Sequence, residues 1–397
     1  GCAQGGAQVC SLARSLSAWY AYIVSTGDGM KLHRFCGFLL PGVAFVYLVW
    51  NGCACGPQIM SVLIMSLIPW SPEVQALSCN KIGGWAYGHA NEKRALYTLR
   101  GIDPFVTALQ RFPTHKEVQR SCAEATGLMS LFDYEISHKA AELGAVELVV
   151  DLMKRWPEDP DMQMGGLSGC FMDFSKPGRT QWSAAGGMEL NFLAIKNHYW
   201  HPGVQFQSWC AFSSGTQDPN QDRFVELGGI EIGVEVMRDH PNTSRVREEI
   251  MGATRAVGER SRSHCERMVK AGYLEAVINA MRDAPLDFHQ ISHACVNIKN
   301  MVEGNTTHQA MALKAGAIET ALEAVRRFPE MVPPVQWEYD AQYTVYQDCL
   351  RAMHALAHHE DSNGFFLRAS AEKTINEVLL RPHLSPEVST LRPHLSP

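Results

Sequence analysis

The chain is read as an all-α solenoid of about seven three-helix repeats, and three regularities in its 397 residues point there. Glycines recur at 101, 144, 187, 229, 272 and 316, at intervals of 42 to 44 residues. An apolar triad spaced i, i+4, i+7 follows each of them. Prolines at 69, 113, 157, 241, 285 and 329 keep the same period. A whole supersecondary unit returning at a fixed spacing marks a repeat array, in which each unit buries its apolar face against its neighbours.

Each element of the unit has a local reason. Glycine adopts the left-handed conformation that ends one helix and lets the next leave at an angle. The triads, from Met60/Ile64/Leu67 and Ile102/Val106/Leu109 through Val146/Val150/Met153, Met188/Phe192/Ile195, Ile230/Val234/Met237 and Leu274/Ile278/Met281 to Ile318/Leu322/Val325, place three side chains on one helical face. The proline cannot continue that helix and forces a turn. A longer third helix follows, with a small residue inside it at Ala125, Gly169, Ala211 or Ala253, which permits close helix–helix approach. Short first helices at 134–143, 221–227 and 263–271 lead into the next glycine.

The ends of the chain read differently. Residues 1–29 show no periodicity and are unassigned, with disorder expected. Residues 30–56 form a hydrophobic segment: a short basic start at Met30-Lys31-Leu32-His33-Arg34, an apolar run to Trp50, then small residues at Gly52, Cys53 and Ala54. It reads either as a cap on the first repeat or as a signal or anchor; the run is short for a bilayer, which needs about 20 apolar residues. Residues 57–380 are the solenoid. Residues 381–397 belong to a disordered proline-containing tail, in which Leu380-Arg381-Pro382-His383-Leu384-Ser385-Pro386 recurs from Leu391 to Pro397.

A net charge of −6 argues against general nucleic-acid binding, which needs a basic face to displace counterions. Cys79, Cys122, Cys170, Cys210, Cys295 and Cys349 each fall in the same part of a repeat, inside an apolar helix. They read as buried thiols between helices, and so as the signature of a reducing compartment.

Units such as 263–303 resemble armadillo repeats, with a short helix, an Ala-Gly junction, an Ile/Leu-rich helix, a turn and a long helix. The resemblance implies an armadillo-type right-handed α-α superhelix whose third helices line a concave groove for extended peptides or protein partners. It implies a non-catalytic scaffold or adaptor, with no cofactor and an unidentified protein or peptide ligand. Register places Gln119, Thr126, Ser130, Asp173, Trp209, Arg255, Glu259, Asn297, Asn300, Arg351 and His354 in that groove. Stacked asparagines hold a peptide backbone in the nuclear-import adaptors and catenins. Here only Asn300 fits that slot; Ser130, Asp173, Ser213 and Gly258 stand elsewhere in it, so nuclear-signal binding by that mode is not implied.

The residues for chemistry are sparse. His289/His293 and His354/His358 sit at i, i+4, a spacing that can share a metal, but neither pair has a third ligand or an intervening glutamate. No metal site is assigned, although a regulatory subunit of an enzyme complex with a His-based site at His354 and His358 is an alternative. No Gly-x-Ser-x-Gly, Walker or kinase signature occurs. A cytoplasmic protein is expected; a membrane-tethered adaptor using residues 35–70, or a secretory one, is the alternative, and Asn242-Thr243-Ser244 and Asn305-Thr306-Thr307 are glycosylation sequons that matter in the latter. About eleven extra residues between Phe328 and Cys349 precede Tyr339, Tyr343 and Tyr346 at helical spacing, which read as core or as an aromatic contact site. Trp182, Trp200 and Trp209 read as filling for an irregular repeat.

Overall fold

The computed structural model describes residues 56–365, apart from 87–88, 99–100, 132, 170–175, 216–219, 241–242, 328–335, 360 and 363. The described residues form helices and turns, with no strand among them. Two compact units meet in sequence at Leu131 and Phe132. The first holds α1 (Gly56–Leu67), α2 (Pro72–Ala86), α3 (Ala90–Thr98), α4 (Asp103–Arg111) and α5 (Lys116–Ser130). In the second, α6 (Tyr134–Glu142), α7 (Ala145–Arg155) and α8 (Pro160–Gly169) make one repeat, and α9 (Lys176–Ala184), α10 (Gly187–Asn197) and α11 (Pro202–Gly215) the next. The third consists of α12 (Gln221–Glu226), α13 (Gly229–Asp239) and α14 (Ser244–Arg260). Then come α15 (Arg262–Lys270), α16 (Tyr273–Asp283) and α17 (Phe288–Val302), and finally α18 (Thr306–Ala315), α19 (Ala317–Arg327) and α20 (Gln336–Ala357).

The third helices of successive repeats pack on one another: α2 on α5 in the first unit, and α8, α11, α14, α17 and α20 in order in the second. The triads face this stack except the first, Met60/Ile64/Leu67, whose Ile64 and Leu67 are half-buried while Val62 and Met65 are buried in their place. From Ile102 onward their first and last members are buried, with Phe192 and Val234 half-buried between them. The left-handed residues of two junctions are shifted by one from the expected glycines. Gly186 and Gly228 carry φ of 85° and 86°. Gly187 and Gly229 serve a different need, since a Cβ there would lie 2.1 Å from the Trp182 ring and 2.4 Å from the Phe224 ring.

A second ladder fixes the turn between the second and third helices. The side-chain amide of Gln75 donates to the carbonyls of Met65 and Ile68, both at 3.0 Å. Gln119 does the same to Leu109 and Phe112, Gln163 to Met153 and Trp156, and Gln205 to Ile195 and His198. Gln290 donates to Ala280 at 2.8 Å. The second carbonyl of each pair also accepts a turn N–H, as that of Trp156 does from Asp159, so one buried amide joins the last turn of a helix to the turn beyond it. In the same register Arg247 is buried and reaches Asp283, 2.9 Å away. On the outer side, Arg223 pairs with Glu189 and Arg267 with Glu231, each tying a first helix to the second helix before it.

The cysteines correct the sequence reading. Cys79 and Cys122 are disulfide-bonded between α2 and α5, and Cys295 and Cys349 between α17 and α20, with Cα atoms 4.9 and 5.0 Å apart. The shared register that suggested packed thiols also aligns sulfurs on adjacent helices at bonding distance. Cys210 and Cys265 are buried and take part in neither disulfide, while Cys170 lies outside the described residues.

Candidate peptide-binding groove

Of the eleven residues assigned to the groove, five are interior. Gln119 is the turn clamp described above. Thr126 is fully buried and donates to the Cys122 carbonyl at 2.6 Å, and Ser130, also fully buried, donates to the Thr126 carbonyl at 2.8 Å. Trp209 is buried against Phe212 and Phe224, its indole N–H donating to Gln205 Oε1 at 3.3 Å. Asn297 is buried and bridges helices, donating to the carbonyls of Met251 on α14 and His293 on its own helix, each at 2.9 Å. Each lies on a third helix but is turned inward, because polar side chains that pair with backbone look the same in sequence as polar side chains facing solvent. Asp173 lies outside the described residues.

The other residues share one region. Glu259 and Asn300 line a cavity of about 320 Å³ with Arg260, Arg262, Lys299 and Glu303. Arg351 and His354 line a second of about 530 Å³ with Lys299, Glu303, Gly304 and His358. Lys299 and Glu303 belong to both, so the two are neighbours along α14, α17 and α20. Arg255 stands one turn before Glu259 on α14 and pairs with it at 3.6 Å. Lys299 and Glu303 are not among the sequence candidates; their signal is the i, i+4 spacing that flanks Asn300 at the end of α17, which Glu303 caps.

Charge on this face is mixed and partly neutralised. Lys299 meets Glu303 at 3.6 Å, Arg351 meets Asp348 at 3.7 Å, and Arg262 donates to the Glu303 carbonyl. Burial raises the Asp348 carboxyl, against the opposing hydrogen bond from Ser292 and the charge of Arg351. Burial also holds His293 down to about 4, helped by Arg255 and His289, so it is neutral at pH 7. Burial pushes Glu248 up to about 7, with the carboxylates of Asp287 and Glu249 adding to it.

Several buried side-chain atoms of α17 lack a hydrogen-bond partner, among them His293 Nδ1, Asn297 Oδ1 and Asn300 Nδ2. The Nδ2 of Asn300 is buried without a hydrogen-bond partner, and Asn300 lines the smaller cavity. Gly258 occupies the matching slot on α14, where an added Cβ would sit 3.4 Å from Asn300 Cβ and 3.5 Å from its Nδ2. The glycine leaves the amide its room.

The rings of His354 and His358 meet edge to face, with centroids 4.9 Å apart. Among the described residues no group of three or more His, Cys, Asp or Glu side chains is arranged to hold a metal ion. Nor is any described helix long and apolar enough to cross a membrane; residues 35–55 lie outside the described residues. Tyr346 is buried in the core of α20, whereas the side chains of Tyr339 and Tyr343 lie outside the described residues. Trp182 is buried with Trp209, but Trp200 is exposed, resting against Tyr199 and His240.

No family model and no curated protein matches the sequence. Solved structures do match the fold. An engineered protein superposes with a TM-score of 0.66 at 18% identity, covering 84% of this chain and 77% of its own. A designed armadillo repeat protein gives 0.52 at 17% identity, over 64% of this chain and 99% of its own. A structure from work on a phosphorylation switch in the interaction between cadherin and β-catenin gives 0.61 at 14% identity, over 89% and 77%. The chain therefore has the armadillo-type, all-α solenoid fold.

Proposed function

We propose that this armadillo-type solenoid is a non-catalytic scaffold that binds an extended peptide segment of a partner protein across α14, α17 and α20. The observation that carries the reading is Asn300: a buried amide donor without a partner, beside a cavity, in the register slot that the resemblance to the import adaptors and catenins gives to holding a peptide backbone. An unpaired buried donor costs roughly 1–3 kcal/mol, so an arriving acceptor gains what the free protein lacks. Arg255, Glu259, Arg351 and His354 flank it, with both signs of charge, and would read side chains on either side of that carbonyl.

The test is selection of peptides from a random library on the purified full chain, followed by hydrogen-exchange protection with a selected peptide bound. Protection concentrated in α14, α17 and α20 is expected. Protection confined to other helices would remove this face as the binding site.

A further inference from the structure

We propose that Asn305 is an N-linked glycan acceptor and that the chain matures in an oxidising, glycosylating compartment. Two observations lead there independently of the groove. The first is the pair of disulfides between neighbouring third helices. All four sulfurs belong to fully buried residues, so the bonds form as the repeats close and are shielded afterwards. Such bonds persist in oxidising compartments and are rare where glutathione and thioredoxin keep thiols reduced. The sequence reading of a reducing compartment rested on these same cysteines being thiols.

The second observation is the geometry of the sequon Asn305-Thr306-Thr307. Asn305 is the N-cap of α18, and its Oδ1 accepts from the His308 N–H at 3.1 Å. That bond uses the oxygen and fixes the amide plane. The Nδ2, the atom a glycan would occupy, makes no hydrogen bond among the described residues. Asn305 is half-buried, and Gly304 before it and Thr306 and Thr307 after it are exposed. A glycan on Nδ2 thus leaves both the helix cap and the core untouched. Asn242 of the second sequon lies outside the described residues.

The transfer is a substitution at the sugar: the Nδ2–C1 bond forms, the C1–oxygen bond of a lipid pyrophosphate-linked oligosaccharide breaks, the amide loses one proton and the lipid pyrophosphate leaves. Each disulfide forms by loss of two electrons and two protons from a thiol pair to a disulfide-carrying protein oxidant.

The experiment expresses the full chain in eukaryotic cells, blocks thiols at lysis with an alkylating agent, and maps peptides by mass spectrometry without reduction. Linked Cys79–Cys122 and Cys295–Cys349 peptides and a glycan on Asn305 are expected. Both Asn305→Asp, which keeps the capping oxygen, and Thr307→Ala, which leaves Asn305 in place, should lose that glycan while remaining folded. Recovery of wild-type Asn305 unmodified, or of Cys295 and Cys349 alkylated, would overturn the proposal.

Discussion

Gln163 donates its side-chain amide to the carbonyl of Trp156 at 2.8 Å, and to that of Met153 at 3.0 Å, closing the turn between α7 and α8. The same contact recurs at Gln75, Gln119 and Gln205, so a side chain holds the turn together with the turn's own backbone bonds. Gln163→Ala leaves two helix-terminal carbonyls without this donor. A loss of about 1–3 kcal/mol is expected in denaturant unfolding, with an unchanged slope. A variant as stable as wild type would show that water replaces the amide freely.

Adjacent glycines at one junction should respond through different physics. Gly228→Ala places a Cβ at φ of 86°, which costs about 1–2 kcal/mol of backbone strain with nothing displaced. Gly229→Ala drives a Cβ into the Phe224 ring, an overpacking cost of about 1–3 kcal/mol. Phe224→Leu should relieve part of the second loss and none of the first, which a double-mutant cycle reads directly.

The tryptophans separate by burial. Trp209→Ala should cost about 3–5 kcal/mol, because it opens a cavity beside Phe212 and Phe224 and removes the indole bond to Gln205. Trp200, 71% exposed, should cost about 0.5 kcal/mol on the same change. Equal losses would mean that the exposed ring supports the fold through Tyr199 and His240.

Stability should depend on pH through Glu248. Its pKa rises on folding from 4.5 to about 7, chiefly by burial, so the folded chain holds this proton more tightly than the unfolded one. Its contribution is complete below 4.5 and is lost as pH rises through about 7. His293 has the opposite sign: lowered from 6.5 to about 4, its contribution is present above 6.5 and lost as pH falls through about 4. Glu248→Gln removes the first effect alone. Relative to wild type, the variant should gain a few degrees in Tm between about pH 5 and pH 8. A constant difference across that range would contradict the burial argument.

The repeat period, the helix boundaries and the buried triads were legible in the sequence because they follow from apolar spacing, which survives any detail of packing. What was not legible depends on partners brought together only by the stack. Gln119, Thr126, Ser130 and Asn297 are polar residues on third helices, and nothing local distinguishes one that donates to backbone from one that faces a ligand. The glutamine period at 75, 119, 163 and 205 was itself a readable sign that these residues serve the fold. The cysteine register was seen, but a common slot on adjacent helices fits a thiol pair and a disulfide equally well until the Cα distance is known. Nothing local marks Lys299, because its surroundings come from Glu303, which caps its helix, and from Arg351 and His354 on the next.

Peptide binding turns on one amide, and the most direct measurement is the affinity of a selected peptide for wild-type protein and for Asn300→Ala, read by calorimetry. Loss of a hydrogen bond to a buried acceptor should weaken binding about tenfold, while Trp200→Ala leaves it unchanged. Equal affinity of wild type and Asn300→Ala would show that the peptide does not use this slot, and the assignment of the groove to α14, α17 and α20 would fall with it.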